Sequence, residues 1–173
     1  MSDAKIVDVA EGLATALETA RDASDFETTS FDVEWDFEGR NKDKELTDND
    51  LHVRVIVPKE EIAYRHDRTE LSYVATYDID VRQKLGVANQ GSGRTIEKEE
   101  LKALVRLVEQ IHEYFWLNPR PIDSIDAEWI DKRDGIKETS RILVPYSPHY
   151  LRDYRQFFGV CREVFEVTGE DGS

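Results

Sequence analysis

Four groups of residues have the types and spacing that chemistry requires. The run Gly86-Val-Ala-Asn-Gln-Gly91-Ser92-Gly93-Arg94-Thr95 leads from an expected strand into an expected helix, the setting of a phosphate-binding loop. Such a loop needs a lysine on the β- and γ-phosphates. Ser92 stands at that position, so the run reads as a connection with Thr95 as helix N-cap. Asp32, Glu34, Asp36 and Glu38 alternate along one expected strand, and with His52 they form an oxygen-rich set that suits a hard cation. Carboxylates at every second position are also what a water-facing strand presents, and no metal is expected. His66-Asp67-Arg68 with Ser72 offers a base and a nucleophile, but without a strained turn or an oxyanion hole. Cys161 sits in an apolar run as a packing thiol. His52, His112 and His149 are scattered, and the chain holds no HExxH and no paired-cysteine motif. The expectation is no enzyme and no cofactor.

The elements that must position these residues follow from periodicity. Ile6, Val9, Ala10, Leu13, Ala16, Leu17 and Ala20 recur at three- and four-residue steps and predict a helix from Ile6 to about Ala23. Gly12 inside it disfavours the helix by about 1 kcal/mol relative to Ala, which suits a close approach to another element. The period then changes to two. Phe31, Val33, Trp35 and Phe37 predict a strand with those four residues under the helices and Asp32, Glu34 and Asp36 turned away. Strands are expected at Leu51–Val57, Ser72–Leu85, Ile125–Ile130 and Phe157–Val167, with a short edge strand at Arg141–Val144. Lys59–Leu71 reads as a long charged connection. A second helix is expected at Ile96–Trp116, with Leu101, Leu104, Val105, Val108, Ile111 and Phe115 on its apolar face. The strand Phe157–Val167 is apolar on both faces, as befits a place inside the sheet or at an interface and not a free edge. The fold class is α+β: a largely antiparallel sheet of about four to six strands with two helices packed on one face, in one domain over residues 1–173, with 168–173 as a frayed tail.

The 173 residues include 37 acids and 23 bases, a formal net charge of −14. Residues 1–50 alone hold 15 acids and 5 bases. This balance lacks the basic footprint of a nucleic-acid binder and argues against docking on anionic lipid. It fits solubility or a salty habitat, and equally an acidic surface that repels DNA or meets a basic partner. The N-terminus has no basic segment followed by an apolar run, so no signal peptide is expected. One cysteine forms no internal disulfide, which suits a reducing compartment or an assembly that needs no cross-links.

The aromatic residues exceed what two helices cover. Tyr114, Phe115 and Trp116 end the second helix, and Tyr146, Tyr150, Tyr154, Phe157 and Phe158 precede or open the last strand. Most belong in the core. The remainder suit an interface, where Tyr and Trp act as anchors.

In element order the chain resembles the tail-terminator, tail-completion and neck (head–tail joining) proteins of long-tailed bacteriophages. Three stretches carry the likeness. One is Val53-Arg-Val-Ile-Val-Pro58 followed by a charged loop with Arg65 and Arg68. The second is Tyr73-Val-Ala-Thr-Tyr-Asp-Ile-Asp-Val-Arg-Gln-Lys-Leu85 with Glu99-Glu-Leu-Lys-Ala-Leu-Val-Arg-Leu-Val-Glu-Gln-Ile111. The third is Pro145-Tyr-Ser-Pro-His-Tyr-Leu151 with Arg155-Gln-Phe-Phe-Gly-Val160. The long Lys59–Leu71 and the inserted Asp131–Ser140 depart from the pattern. The resemblance implies a non-enzymatic virion subunit at the tail–neck junction, made in the host cytoplasm. Such a subunit forms a hexameric ring, caps the tail tube, contacts the tail tube protein and a head-completion or connector protein, and lets DNA through without specific binding. The interface candidates are Tyr146, Tyr150, Tyr154 and Phe158, with Arg65 and Arg68 for partner contacts. The alternatives are a head-closure or connector subunit of the same neck and, from another class, a small hydrolase or nucleotide-binding enzyme.

Overall fold

The computed structural model describes residues 5–38, 50–59, 61–65, 70–85, 98–130 and 143–170, with the backbone alone at 61–65, 70, 71, 153, 154, 169 and 170. The element order is α1 (Lys5–Asp22), β1 (Asp32–Asp36), β2 (Leu51–Ile56), β3 (Glu61–Arg65), β4 (Glu70–Lys84), α2 (Lys98–Leu117), β5 (Ala127–Trp129), β6 (Leu143–Val144), α3 (Pro148–Tyr154) and β7 (Gln156–Glu170). The fold is α+β, as the periodicities predict. Six strands of three or more residues and the two-residue β6 make one sheet of order β1-β2-β4-β7-β5, with β3 added to β4 and β6 to β7.

Two 15-residue strands, β4 and β7, form its centre, antiparallel and paired along their whole length from Glu70↔Glu170 to Lys84↔Gln156. β7 therefore continues through Thr168 to Glu170, into the stretch expected to fray. Thr168 is held there by its N–H to Asp126 O at 2.9 Å. β1 runs parallel to β2, the exception in a sheet that is otherwise antiparallel, as expected. Val57 N–H, donating to Asp36 O at 2.9 Å, extends that pairing. β3 lies inside the expected charged connection Lys59–Leu71, paired antiparallel with Leu71–Ala75.

The core lies between one face of the sheet and the two long helices. Val9, Ala10, Leu13, Ala14, Ala16, Leu17 and Ala20 are buried on α1, and Leu104, Leu107, Val108, Ile111 and Phe115 on α2. They meet Val53, Val55, Tyr77, Ile79, Val81, Phe157, Cys161 and Phe165. α1 covers β1 and β2, and α2 covers β7. The hydroxyl of Tyr77 donates to Ile6 O at 2.9 Å and ties β4 to the start of α1. Gly12 makes the close approach its position suggests: a Cβ there would lie 2.7 Å from Ile122 Cδ1. Gly159 is as tight and less forgiving, since its Cβ would lie 2.7 Å from Pro145 O, a backbone atom, and from Val108 Cγ2.

Along β1, Val33 and Trp35 pack against the core while Asp32 and Glu34 are exposed. Phe37 departs from the expectation. β1 ends at Asp36, and Phe37 beyond it is 59% exposed, its ring 5.8 Å from that of Trp35. The Gly86–Thr95 run, His66, Asp67, Arg68 and Asp131–Ser140 lie outside the described residues.

Candidate functional site

The sheet face opposite the long helices carries rows of charge set by strand register. Glu34 pairs with Arg54 and Arg54 with Asp80 across β1, β2 and β4. Arg54 donates to Glu34, and through Nη1 to Asp36 Oδ2 at 3.2 Å. Asp78 faces Arg162 across β4 and β7, with bonds of 2.7 and 3.2 Å. This two-point contact raises the Arg162 pKa above its ordinary value. The alternating carboxylates of β1 thus serve as partners of Arg54, and His52 Nδ1 lies 4.0 Å from Asp32 Oδ2. No group of three metal-ligating side chains is found among the described residues.

The third helix covers one corner of this charged face. Phe157 points into the core and Phe158 to the opposite side, as strand alternation requires. There the rings of Tyr150 and Phe158 stack with centroids 4.9 Å apart and planes tilted by 33°. The buried Arg82 guanidinium lies 5.2 Å from the Phe158 ring and 5.7 Å from the Tyr150 ring. An aromatic face is a favourable seat for a guanidinium removed from water. Arg155 ends α3 in the left-handed conformation, φ 48°, and its N–H donates to Tyr150 O. The chain then turns directly into β7.

Under α2 lies a second polar group. Glu163 is fully buried in the middle of β7 on the core side. Its Oε1 is 2.6 Å from His112 Nδ1 on α2, and its Oε2 accepts Trp129 Nε1–H from β5 at 2.7 Å. A buried carboxylate is tolerated only with such partners. Cys161, two residues away on the same face, is also fully buried, and its Sγ donates to Ile79 O at 3.8 Å. Burial first, then the nearby Glu163 carboxylate, push this thiol well above its ordinary pKa. It is a packing residue, as its apolar setting suggests.

Of the expected interface residues, the fold gathers Tyr146, Tyr150 and Phe158 at one corner. Tyr146 is 46% exposed, Phe158 is partly buried, and Tyr150, at 7%, is a packing residue of this chain. Tyr150 therefore has almost no ring area left for a partner. α3 brings Tyr154 near by backbone, while its side chain lies outside the described residues, as does that of Arg65 on β3. Ser72 is buried with its Oγ 3.5 Å from Thr168 Oγ1. Among the described residues, the large apolar side chains that do face outward are Phe37, Trp116, Leu117, Leu143 and Tyr146. Leu117 and Leu143 escaped sequence reasoning, although Leu117 directly follows the aromatic end of the second helix. The Glu163 cluster escaped it entirely. Its one signal is a lone acid at a core-facing position of an apolar strand.

No protein-family model and no curated protein sequence matches this chain.

Proposed function

We propose that the chain is a non-enzymatic, ring-forming structural subunit of a long-tailed bacteriophage, capping the tail tube and joining it to the head–neck. The observation that carries this reading is the outward apolar surface: Phe37, Trp116 and Leu117 are each more than half exposed, and Tyr146 nearly so. Single exposed apolar residues are ordinary on a soluble surface. Here they occur on a chain whose charged side chains are in large part paired within the fold, Arg54 with Glu34 and Asp36, Arg162 with Asp78, and His112 beside Glu163. Such a surface suits contact with copies of itself and with neighbouring subunits through a heterologous interface that closes into a ring. The resemblance of the sequence's element order to that of tail-terminator and neck proteins supports the same reading. The acidity suits a conduit through which DNA slides without sticking.

Light scattering coupled to size exclusion, with negative-stain imaging, tests the reading. Rings with an open pore at micromolar protein are expected. A monodisperse monomer under those conditions, together with thermal stabilisation by a nucleotide or a divalent cation, would replace it with an enzymatic one.

A further inference from the structure

Among the described residues, β1 ends the sheet and is hydrogen-bonded on one side only, to β2. The Asp36 carbonyl accepts from Val57 N–H, so the backbone groups of Asp32, Glu34 and Asp36 face β2. Backbone groups alternate along a strand, so those of Val33 and Trp35 face outward. The two ends of this outer edge are closed locally. Arg21 Nη1 donates to Phe31 O at 2.7 Å, and Phe37 N–H donates to Asp36 Oδ1 at 2.7 Å. Between them, among the described residues, the N–H and C=O of Val33 and Trp35 have no ladder partner. The opposite end of the sheet is finished differently, for there Trp129 N–H donates to Pro119 O at 2.7 Å.

The flanks of the open edge differ in chemistry. On one side stand the carboxylates of Asp32, Glu34 and Asp36, which share one arginine, Arg54, and one histidine, His52. On the other stand Val33, the half-buried Trp35 and the exposed Phe37. An open edge of this kind is a template for an added strand.

We propose that the outer edge of β1 binds an extended segment of another protein, with Lys or Arg at alternate positions and apolar side chains between them, as an added strand. The basic side chains lie beside the carboxylate row, and the apolar ones cover Trp35 and Phe37. Charge also tells against a second copy of β1 as occupant. A two-fold pairing would set Asp32, Glu34 and Asp36 against their own equivalents, and like charges directly opposite are destabilising. The inference goes beyond the ring reading and does not depend on it, since the edge is equally open in a monomer.

The full chain is titrated with the peptide acetyl-Lys-Val-Lys-Ile-Lys-Val-Lys-amide while amide hydrogen exchange is followed at Val33 and Trp35. Exchange at both amides is expected to slow by about tenfold or more at saturation. Two isomers of the peptide, N-methylated at the odd or at the even amides, sharpen the test. Only one edge of the peptide meets β1, so one isomer keeps its affinity and the other binds about tenfold more weakly. The peptide with Glu in place of Lys is expected to give no protection. Equal binding of the two isomers, protection by the acidic peptide, or no slowing at Val33 and Trp35 would each overturn the proposal. So would amides of Val33 and Trp35 already protected in the protein alone in step with its self-association, because a second copy would then hold the edge. Ring formation measured on the same sample is a separate readout, so this inference and the proposed function fail independently.

Discussion

Oε1 of Glu163 on β7 lies 2.6 Å from Nδ1 of His112 on α2, and the carboxylate has no exposure to solvent. With Trp129 Nε1–H on Oε2, one side chain links the central strand, the second helix and the β5 end of the sheet. Glu163→Ala removes the acceptor for both and leaves a void, and is expected to destabilise the fold by about 3–5 kcal/mol. Glu163→Gln keeps an acceptor for the indole and should cost about 1–2 kcal/mol. Urea unfolding followed by Trp fluorescence measures both. A loss under ~1 kcal/mol for Glu163→Ala would mean that this cluster does not pin α2 to the sheet.

Tyr146 and Tyr150 share a corner but not a role. Tyr150 is buried on Phe158 and over Arg82, so Tyr150→Asp is expected to cost about 3 kcal/mol or more in stability. Tyr146 is exposed, so Tyr146→Asp should alter stability by no more than ~0.5 kcal/mol while weakening ring assembly. Circular-dichroism melts beside light scattering separate the two effects. Intact rings from a well-folded Tyr146→Asp would move the subunit interface to the Trp116–Leu117 end of α2 or to Phe37.

Cys161 makes stability depend on alkaline pH. Burial and then Glu163 raise its pKa in the folded protein above the unfolded value of about 8.5. The neutral thiol therefore contributes stability that is complete below about pH 8.5 and is lost as pH rises from there through the folded pKa. Cys161→Ala should reduce this alkaline fall, measured as the difference in unfolding free energy between neutral pH and about pH 9.5. A thiol reagent should label the native protein only at the rate of its unfolding. Rapid native labelling at neutral pH would contradict the burial.

DNA should bind the isolated chain poorly. Counterion-release binding is strong when roughly 6–10 phosphates are neutralised together. Among the described arginines, Arg21, Arg54, Arg106, Arg120 and Arg162 each stand in an ion pair with a carboxylate, Arg82 is buried under two rings, and Arg152 and Arg155 are exposed at the end of α3. An anisotropy titration in ~50 mM salt is expected to show no complex at micromolar protein. Tight, salt-sensitive binding would reveal a basic surface and argue against a repulsive conduit.

The sequence by itself determined which residues face inward along each long element. The period-two runs around Val33 and Trp35, Val53 and Val55, and Tyr77 and Ile79, and the period-3.6 stripes of Leu13 and Leu17 and of Leu104 and Ile111, all end in one core. It also marked β7 as an interior strand and Gly12 as a point of close approach, because side-chain direction and the absence of a Cβ are local properties. Strand direction is not local. Side chains alternate identically in parallel and antiparallel ladders, so the parallel pairing of β1 with β2 had no signature in Phe31–Phe37. β3 was hidden because a five-residue strand bounded by Glu61 and Arg65 offers only two apolar alternations, Ile62 and Tyr64. The fate of the aromatic and polar residues was likewise decided in space. Tyr150 became buried when α3 folded back over Phe158, and Phe37 stayed outside because β1 ends at the residue before it. Glu163 could enter the interior only because His112 and Trp129, 51 and 34 residues away in the chain, converge on it, and partners so distant leave no pattern in any window of sequence.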